Sequence, residues 1–170
     1  PRQTVDSEIS VDIRFAILEG FEWFYWGSAG GGGQTTVKVR DSVFRDIGVP
    51  SLFGDSQILI ERSRFENAAG FYLFGTRNTL LSQNNCFVSK NSNNLGLPWF
   101  ELDIAPTPEL ILIQDNAFLD SGTLAFRAGY VASSVPVFIG PNYYGTTNAT
   151  IIDQMVYDSS DDLNINFRII

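Results

Sequence analysis

Three aspartates lie close together near the C-terminal end of the chain, at Asp158, Asp161 and Asp162, and Asn164 follows them. Carboxylate and amide oxygens at such short spacing are the ligands that calcium takes in proteins. The spacing differs from that of an EF-hand loop, and the segment contains no glycine. The alternative is structural, because the same side chains can end a helix over 151–157 and start the final strand INFRII. We favour the structural interpretation and keep a calcium site as its alternative.

A second group of candidate residues is aromatic. The stretch from Phe21 to Gly33 reads FEWFYWGSAGGGG. Aromatic rings on an exposed strand face are typical of surfaces that bind sugars or protein partners. The glycine run does not resemble a phosphate-binding loop, because the QTTV that follows it leads into a strand and not into a helix N-terminus. We expect the glycines to form a turn.

Two absences from the sequence limit the catalytic chemistry. The chain has no histidine and a single cysteine, Cys86. The usual Ser/His and Cys/His nucleophile arrangements, an internal disulfide and most zinc sites are therefore excluded. We expect Cys86 to be a small buried residue, and the sequence assigns no catalytic residue.

The charge and length limit the partners and the number of domains. The formal net charge is -8, from 11 basic and 19 acidic residues. Nucleic acids and anionic membranes are bound through clustered Lys and Arg, so we expect neither as a partner. No apolar run reaches the roughly 18 residues of a bilayer span, so we expect no membrane insertion. We expect one domain over 1–170 which, because it begins at Pro1, is a piece or the C-terminal part of a larger protein.

The elements that must position these residues form a repeat. Six segments share an apolar-x-apolar strand, a polar bend and an apolar anchor, as in TVKVRDSVFRDIG and QILIERSRFENAAG. The anchors lie 21 to 31 residues apart, and they are Leu18, Phe44, Phe65, Phe87, Phe118 and Tyr144. Repeats of this length that consist of short strands indicate a solenoid.

Other positions of the repeat keep the same register. Seven and five residues before each anchor the side chains are apolar, as at Val37 and Val39, with Ser82 as the one exception. This alternation is that of a strand with one buried face. Two residues before the anchors the side chains are small or carry an amide, at Ala16, Ser42, Ser63, Asn85, Asn116 and Asn142. We expect them to stack at a bend and to bond the backbone of adjacent repeats.

The repeat, and above all the segment NYYGTTNATIIDQMVYDSSDD (142–162), resembles the parallel β-helix proteins of the pectin-lyase-like superfamily, in particular secreted bacterial repeat proteins. The resemblance implies an all-β chain: a right-handed parallel β-helix of about six coils with a short C-terminal helix. It also implies an extracellular or cell-surface location. The superfamily includes lyases, hydrolases, adhesins and non-catalytic binding modules, so the fold by itself does not give the function.

The aromatic stretch fits the repeat as a second strand that follows the anchor. If FEWFYW after Gly20 is aligned with FYLF after Gly70, Trp23 matches Leu73 as an inward residue. The outward set is then Phe24, Trp26, Tyr72 and Phe74, which we expect to form an aromatic patch for carbohydrate or a protein partner. The alternative is that the 92–109 insertion, with Trp99 and Phe100, shields this face. That insertion also carries Glu101 and Asp103, which could line a groove with sugar hydroxyls or calcium.

Catalysis by acidic residues is the main alternative to binding. Lyases of the resembling superfamily use Asp and Glu ligands for calcium with an Arg or Lys base. Asp41, Arg62, Asn84 and Asp115 all lie three residues before an anchor, so we expect them along one edge. Asp41 beside Arg62 is satisfied as an ion pair, and we expect no three carboxylates to converge. The sequence therefore favours a protein that is not an enzyme.

Three functional hypotheses remain. The first is an extracellular non-catalytic module for carbohydrate binding, adhesion or surface interaction, and the second is a polysaccharide lyase or glycoside hydrolase. The third is a structural spacer or assembly subunit. We also expect end-to-end self-association or a neighbouring domain, with Phe167, Ile169 and Ile170 in the contact, because a solenoid exposes strand edges and core at its ends.

Overall fold

The computed structural model describes residues 9–20, 25–27, 35–48, 51–54, 56–75, 79–90, 96–104, 111–120, 123–129, 137–165 and 168–170. They are mostly β-strands, with one short helix, α1 (Ala149–Asp153). None of the helices in these ranges is long and apolar enough to cross a membrane.

The described strands form three parallel sheets. The first sheet contains β1 (Ile9–Arg14), β4 (Thr35–Arg40), β7 (Ser56–Glu61), β10 (Thr79–Gln83) and β13 (Ile111–Gln114). The second contains β2 (Ile17–Glu19), β5 (Val43–Arg45), β8 (Arg64–Ala68), β11 (Cys86–Lys90) and β14 (Ala117–Phe118). The third contains β3 (Tyr25–Gly27), β6 (Ser51–Gly54), β9 (Phe71–Gly75), β12 (Phe100–Ile104), β15 (Phe126–Ala128) and β16 (Val156–Tyr157).

The chain visits the three sheets in rotation. From β1 to β15, each set of three consecutive strands adds one strand to the first, second and third sheet in turn. Equivalent residues of successive repeats are therefore hydrogen-bonded neighbours, which requires a sequence repeat of about the observed length. The prediction of an all-β chain with parallel strands and a short helix near the C-terminus is confirmed.

The predicted apolar positions of the first sheet form the core. Val37, Ile58, Leu80 and Ile111 lie in line across neighbouring strands, and each is at most 3% exposed. The exception, Ser82, is completely buried and lies between Ile60 and Ile113 on the two neighbouring strands. Its hydroxyl accepts a hydrogen bond from Asn85 Nδ2 at 3.2 Å and lies 3.4 Å from Asn116 Oδ1. The serine is tolerated because its polar atom has partners.

The predicted anchors stack on one another inside the second sheet. The ring centroids of Phe65 and Phe87 are 5.1 Å apart, and those of Phe87 and Phe118 are 4.9 Å apart with planes 8° apart. Phe44 and Tyr144 extend the stack at its two ends. Each buried ring adds apolar area, and each aromatic pair adds roughly 0.5–1.5 kcal/mol beyond that area.

The small and amide residues before the anchors form the predicted ladder, which we call the bend ladder (Ala16, Ser42, Ser63, Asn85, Asn116 and Asn142). The backbone N–H of each of the first five donates to the side-chain oxygen of the next member, over distances from 2.9 to 3.3 Å. The amide nitrogens also donate to backbone carbonyls, as Asn85 Nδ2 does to Ile60 O at 2.8 Å. The ladder thus satisfies backbone groups that the bend takes out of the sheets.

The residue immediately before each ladder member adopts a left-handed backbone conformation in five repeats. These residues are Phe15, Asp41, Arg62, Asn84 and Asp115, with φ between 47° and 56°. Asn and Asp tolerate this conformation better than other non-glycine residues. Arg62 Nε donates to Asp41 Oδ1 at 2.7 Å, so the predicted ion pair along this edge is confirmed.

The alignment predicted for the aromatic stretch is wrong by three residues. In the third sheet Trp26 is opposite Phe53, and Phe53 is opposite Leu73, whereas the sequence alignment matched Trp23 with Leu73. Tyr25 therefore shares a line with Tyr72. The local pattern could not fix the phase because aromatic residues occupy consecutive positions in this strand.

The predicted role of the 92–109 insertion as a shield is also wrong for its two aromatic residues. Trp99 and Phe100 are completely buried in the core, and their ring centroids lie 5.1 and 5.4 Å from that of Phe87. Part of the insertion forms β12, which lies between β9 and β15 in the third sheet. The insertion therefore supplies a core strand to this sheet.

Two further expectations need correction. The helix is α1, and Tyr157 belongs to β16, so the predicted helix over 151–157 starts too late and ends too late. Cys86 is only half-buried, with Arg64 Nη1 3.5 Å from its sulfur. Ile169 is 7% exposed and packs in the core of its own chain, Ile170 is 54% exposed, and Phe167 lies outside the described residues, so the contact of these residues with another subunit stays a prediction.

Candidate functional site

The outer face of the third sheet brings chemically active side chains together. Alternation along its strands directs Phe71 and Leu73, Phe100 and Leu102, and Phe126 and Ala128 into the core. The residues that alternate with them lie on the outer side, and Tyr157 is in line with Arg127. We call this surface the acidic–aromatic face, and it consists of Tyr72, Phe74, Glu101, Asp103, Arg127 and Tyr157.

The apolar part of the acidic–aromatic face consists of two aromatic rings. The rings of Tyr72 and Phe74 stack with centroids 5.8 Å apart and planes 26° apart, and both side chains are half-buried. They are two residues apart on β9, so the pleat of the strand places them on the same side. Of the predicted aromatic patch, the structure thus brings Tyr72 and Phe74 together. Phe24 and the side chain of Trp26 lie outside the described residues.

A carboxylate fixes the Tyr72 ring. The Tyr72 hydroxyl donates a hydrogen bond of 2.7 Å to Asp103 Oδ2, on the neighbouring strand β12. Burial raises the pKa of the Tyr72 phenol well above its ordinary value, and the hydrogen bond to Asp103 adds to the rise. The phenol therefore stays protonated, and the ring is held at both its apolar and its polar end.

A second carboxylate lies next to this pair. Glu101 is directly opposite Tyr72 on one side and Arg127 on the other, and its carboxylate lies 3.8 Å from Arg127 Nη1. Burial raises the pKa of Glu101, the Arg127 charge opposes the rise, and Asp103 adds to it. The Arg127 guanidinium is itself oriented by a hydrogen bond of 2.9 Å to the carbonyl of Gly96.

Sequence reasoning found part of this face. It noted Tyr72 and Phe74 as outward aromatics and Glu101 and Asp103 as acidic residues of an insertion, but it did not place the two pairs side by side. It also missed Arg127 and Tyr157. The signal that could have found Arg127 is the alternation FRA, which matches the phase of FEL in β12, and no comparable signal marks Tyr157.

The predicted acidic segment lies elsewhere, around a cleft of about 450 Å³ beside α1. Asp158 is 4% exposed, and its two oxygens accept from the backbone N–H of Ser160 at 2.7 Å and of Ile169 at 2.8 Å. Asp161 Oδ2 accepts from the N–H of Asp158, and Asp162 Oδ1 accepts from the N–H of Asn164. These carboxylates close turns and hold the last residues of the chain.

The acidic segment also has no converging ligand set in the part of the chain that the structure describes. Within those ranges, no group of three or more Cys, Asp or Glu side chains is arranged to hold a metal ion. Asp158, Asp161 and Asp162 are neighbours in the fold, but each uses a carboxylate oxygen as an acceptor for the backbone. The geometry supports the structural interpretation of this segment.

Comparison of the chain with protein-family models, with curated proteins and with solved structures gives no match.

Proposed function

We propose that the chain is a right-handed parallel β-helix of the pectin-lyase-like kind that acts outside the cell as a non-catalytic module for binding carbohydrate. The rotation of strands through three parallel sheets supports the coiled architecture. Right-handed connections are favoured because parallel strands are joined in this hand in about 98% of cases. The extracellular location rests on the resemblance in the segment 142–162.

The observation that carries the binding proposal is the pair of stacked rings, Tyr72 and Phe74, with Asp103 bonded to the tyrosine hydroxyl. Sugars are bound by apolar ring faces together with fixed hydrogen-bonding groups, and the acidic–aromatic face presents both. The face carries two carboxylates in a chain of net charge -8, so its ligand is a neutral glycan and not a polyanion.

The test is binding of neutral oligosaccharides on a glycan array, followed by calorimetry with the best ligand, with and without calcium. We expect Phe74→Ala to weaken binding about tenfold, or roughly 1.4 kcal/mol. The matched control is Phe138→Ala, which removes an aromatic ring that is 54% exposed outside the acidic–aromatic face. Equal binding by both variants, or no binding of any neutral glycan by the wild-type chain, would contradict the proposal.

A polysaccharide lyase or glycoside hydrolase is the second candidate, and a specific observation favours it. Glu101, Asp103 and Arg127 share one face with the aromatic rings, and burial raises the pKa of Glu101, which is the direction that a general acid requires. The test is the release of reducing ends or unsaturated products from neutral and acidic polysaccharides. Activity that Glu101→Gln abolishes without loss of glycan binding would establish catalysis.

A further inference from the structure

Gly129 lies directly against Asp103 at the edge of the acidic–aromatic face. A Cβ atom added to Gly129 would lie 2.6 Å from Asp103 Cα and Oδ1 and 2.7 Å from its Cβ. Real Cβ atoms do not approach other atoms so closely, so any side chain here displaces Asp103. The Gly129 backbone is not in the left-handed region, so space, and not backbone conformation, requires the glycine.

Because Gly129 has no side chain, the Asp103 carboxylate can occupy the space beside it. The Gly129 N–H donates to Leu102 O at 2.9 Å, which holds the two strands together immediately beside Asp103. Asp103 Oδ1 then lies over Gly129, and Oδ2 accepts the hydrogen bond from the Tyr72 hydroxyl. One oxygen of the carboxylate thus fixes the ring, and the other faces the position where Gly129 has no side chain.

We propose that Gly129 is the positioning residue of the acidic–aromatic face: it lets Asp103 hold Tyr72 through Oδ2 while Oδ1 accepts a hydrogen bond from a hydroxyl of a neutral sugar. This inference rests on the proposed carbohydrate binding. Its geometric part, the dependence of the Tyr72–Asp103 contact on Gly129, can be tested without any ligand.

The ligand-free test follows the ionisation of Tyr72. Tyrosine absorbance near 295 nm is titrated from about pH 8 up to the highest pH at which far-UV circular dichroism still shows the native fold, because the ionisation of Tyr72 lies well above the ordinary tyrosine pKa of about 10. The signal of Tyr72 is obtained by subtracting the titration of Tyr72→Phe in the same background. Because the hydrogen bond to Asp103 contributes to the raised pKa of Tyr72, we expect Gly129→Ala to shift its ionisation to lower pH.

The matched control is Gly140→Ala. A Cβ on Gly140 would lie 2.6 Å from Gln114 Cβ, so this variant introduces a similar clash next to the first sheet. We expect it to leave the Tyr72 titration unchanged. An unchanged Tyr72 titration in folded Gly129→Ala would overturn the proposal.

A double variant covers the case in which Gly129→Ala does not fold. We expect Gly129→Ala combined with Asp103→Gly to be more stable than Gly129→Ala alone, because the contacts of the new Cβ with Asp103 Oδ1 and Cβ are removed and only the contact with the Cα of residue 103 remains. If Asp103→Gly gives no gain in stability in the Gly129→Ala background, the glycine is needed for the strand backbone and not for the Asp103 side chain, and the proposal is wrong.

Calorimetry with the neutral oligosaccharide tests the ligand part. We expect Gly129→Ala to lose about as much affinity as Asp103→Ala, roughly tenfold. If Tyr72 shifts in Gly129→Ala but the affinity is unchanged, Asp103 Oδ1 is not a sugar acceptor. If Tyr72 shifts and the wild-type chain binds no neutral glycan, the positioning role stands and the proposed function fails.

Discussion

The backbone N–H of Asn116 donates to Asn142 Oδ1 at 3.0 Å, although 26 residues separate the two asparagines in the chain. The Asn116 side chain in turn donates to the carbonyls of Ser82 and Gln114, both at 2.9 Å. One amide side chain therefore joins three successive repeats at the bend between the first and second sheets. The bend ladder is the polar counterpart of the phenylalanine stack beside it.

Replacing Asn116 by Leu tests the bend ladder. Asn116 is 2% exposed, so the variant leaves buried backbone groups without partners, and we expect a loss of roughly 1–3 kcal/mol in the free energy of unfolding. Urea denaturation measures this loss. The control Asn164→Leu changes an exposed asparagine and should alter stability by less than about 0.5 kcal/mol. Equal stability of the two variants would show that the ladder bonds contribute little.

Replacing Phe87 by Ala tests the aromatic stack. Phe87 is completely buried between the rings of Phe65 and Phe118, and we expect its removal to cost roughly 3–5 kcal/mol. The control is Leu119→Ala, next to the stack but 43% exposed, which should cost far less. Thermal and urea unfolding provide the comparison. Similar losses of stability in the two variants would show that the Phe87 ring contributes little to the core.

We expect Lys90 to make the stability of the protein depend on pH. It is 4% exposed, and its Nζ donates to Pro98 O at 2.6 Å and lies 4.1 Å from the centre of the Trp99 ring. Burial lowers the pKa of Lys90 to about 7, against the opposing effect of Asp120. Between about pH 7 and the ordinary value of 10.5, the unfolded chain binds this proton and the native chain does not.

The contribution of Lys90 to stability should therefore fall as the pH is lowered from 10.5 to about 7 and stay constant below that. Lys90→Met removes this titration, so we expect the wild-type chain to lose stability relative to the variant over the same interval. Urea denaturation at a series of pH values measures the difference. Parallel stability curves for the two chains would mean that Lys90 is protonated in the folded protein at neutral pH.

Replacing Asp158 by Ala separates the two interpretations of the acidic segment. Because Asp158 accepts from the N–H groups of Ser160 and Ile169, we expect a loss of roughly 1.5–3 kcal/mol and faster hydrogen exchange at Ile169. The loss should be the same with calcium and with a chelator. The control is Asp153→Ala, in the same cleft but exposed. A calcium-dependent stabilisation of the wild-type chain that Asp158→Ala abolishes would support the metal site instead.

The first strands of the chain allow a test of the proposed end-to-end association. β1 and β2 each have one neighbouring strand among the described residues, and Phe15 and Ile17 are 82% and 68% exposed. Exposed edges with apolar side chains favour pairing with another chain. We expect sedimentation velocity to show concentration-dependent association that Ile17→Lys reduces, with Leu163→Lys as an exposed control. A monomer at all concentrations would contradict the proposal.

The periodic features of the fold could be predicted from the sequence because they depend on spacing alone. Anchors such as Phe65 and Phe87 recur once in each repeat, and parallel pairing of successive repeats makes them stack. The asparagines of the bend ladder follow the same rule, since their position relative to the anchor fixes which backbone groups they reach. When the register is regular, residues at equivalent positions of successive repeats come into contact.

Only the tertiary structure determined the register of the third sheet and which side chains meet across it. The connections that lead into it differ in length, so sequence spacing did not fix the phase of the aromatic stretch, and Trp26 is in line with Leu73. Nor did spacing show that Asp103, from an insertion, meets the Tyr72 hydroxyl and lies against Gly129. These contacts join residues that are 31 and 26 positions apart, and the pairing of β9, β12 and β15 creates them. Neighbours across a sheet are set by which strands pair, and an irregular repeat leaves that pairing to the packing of the core.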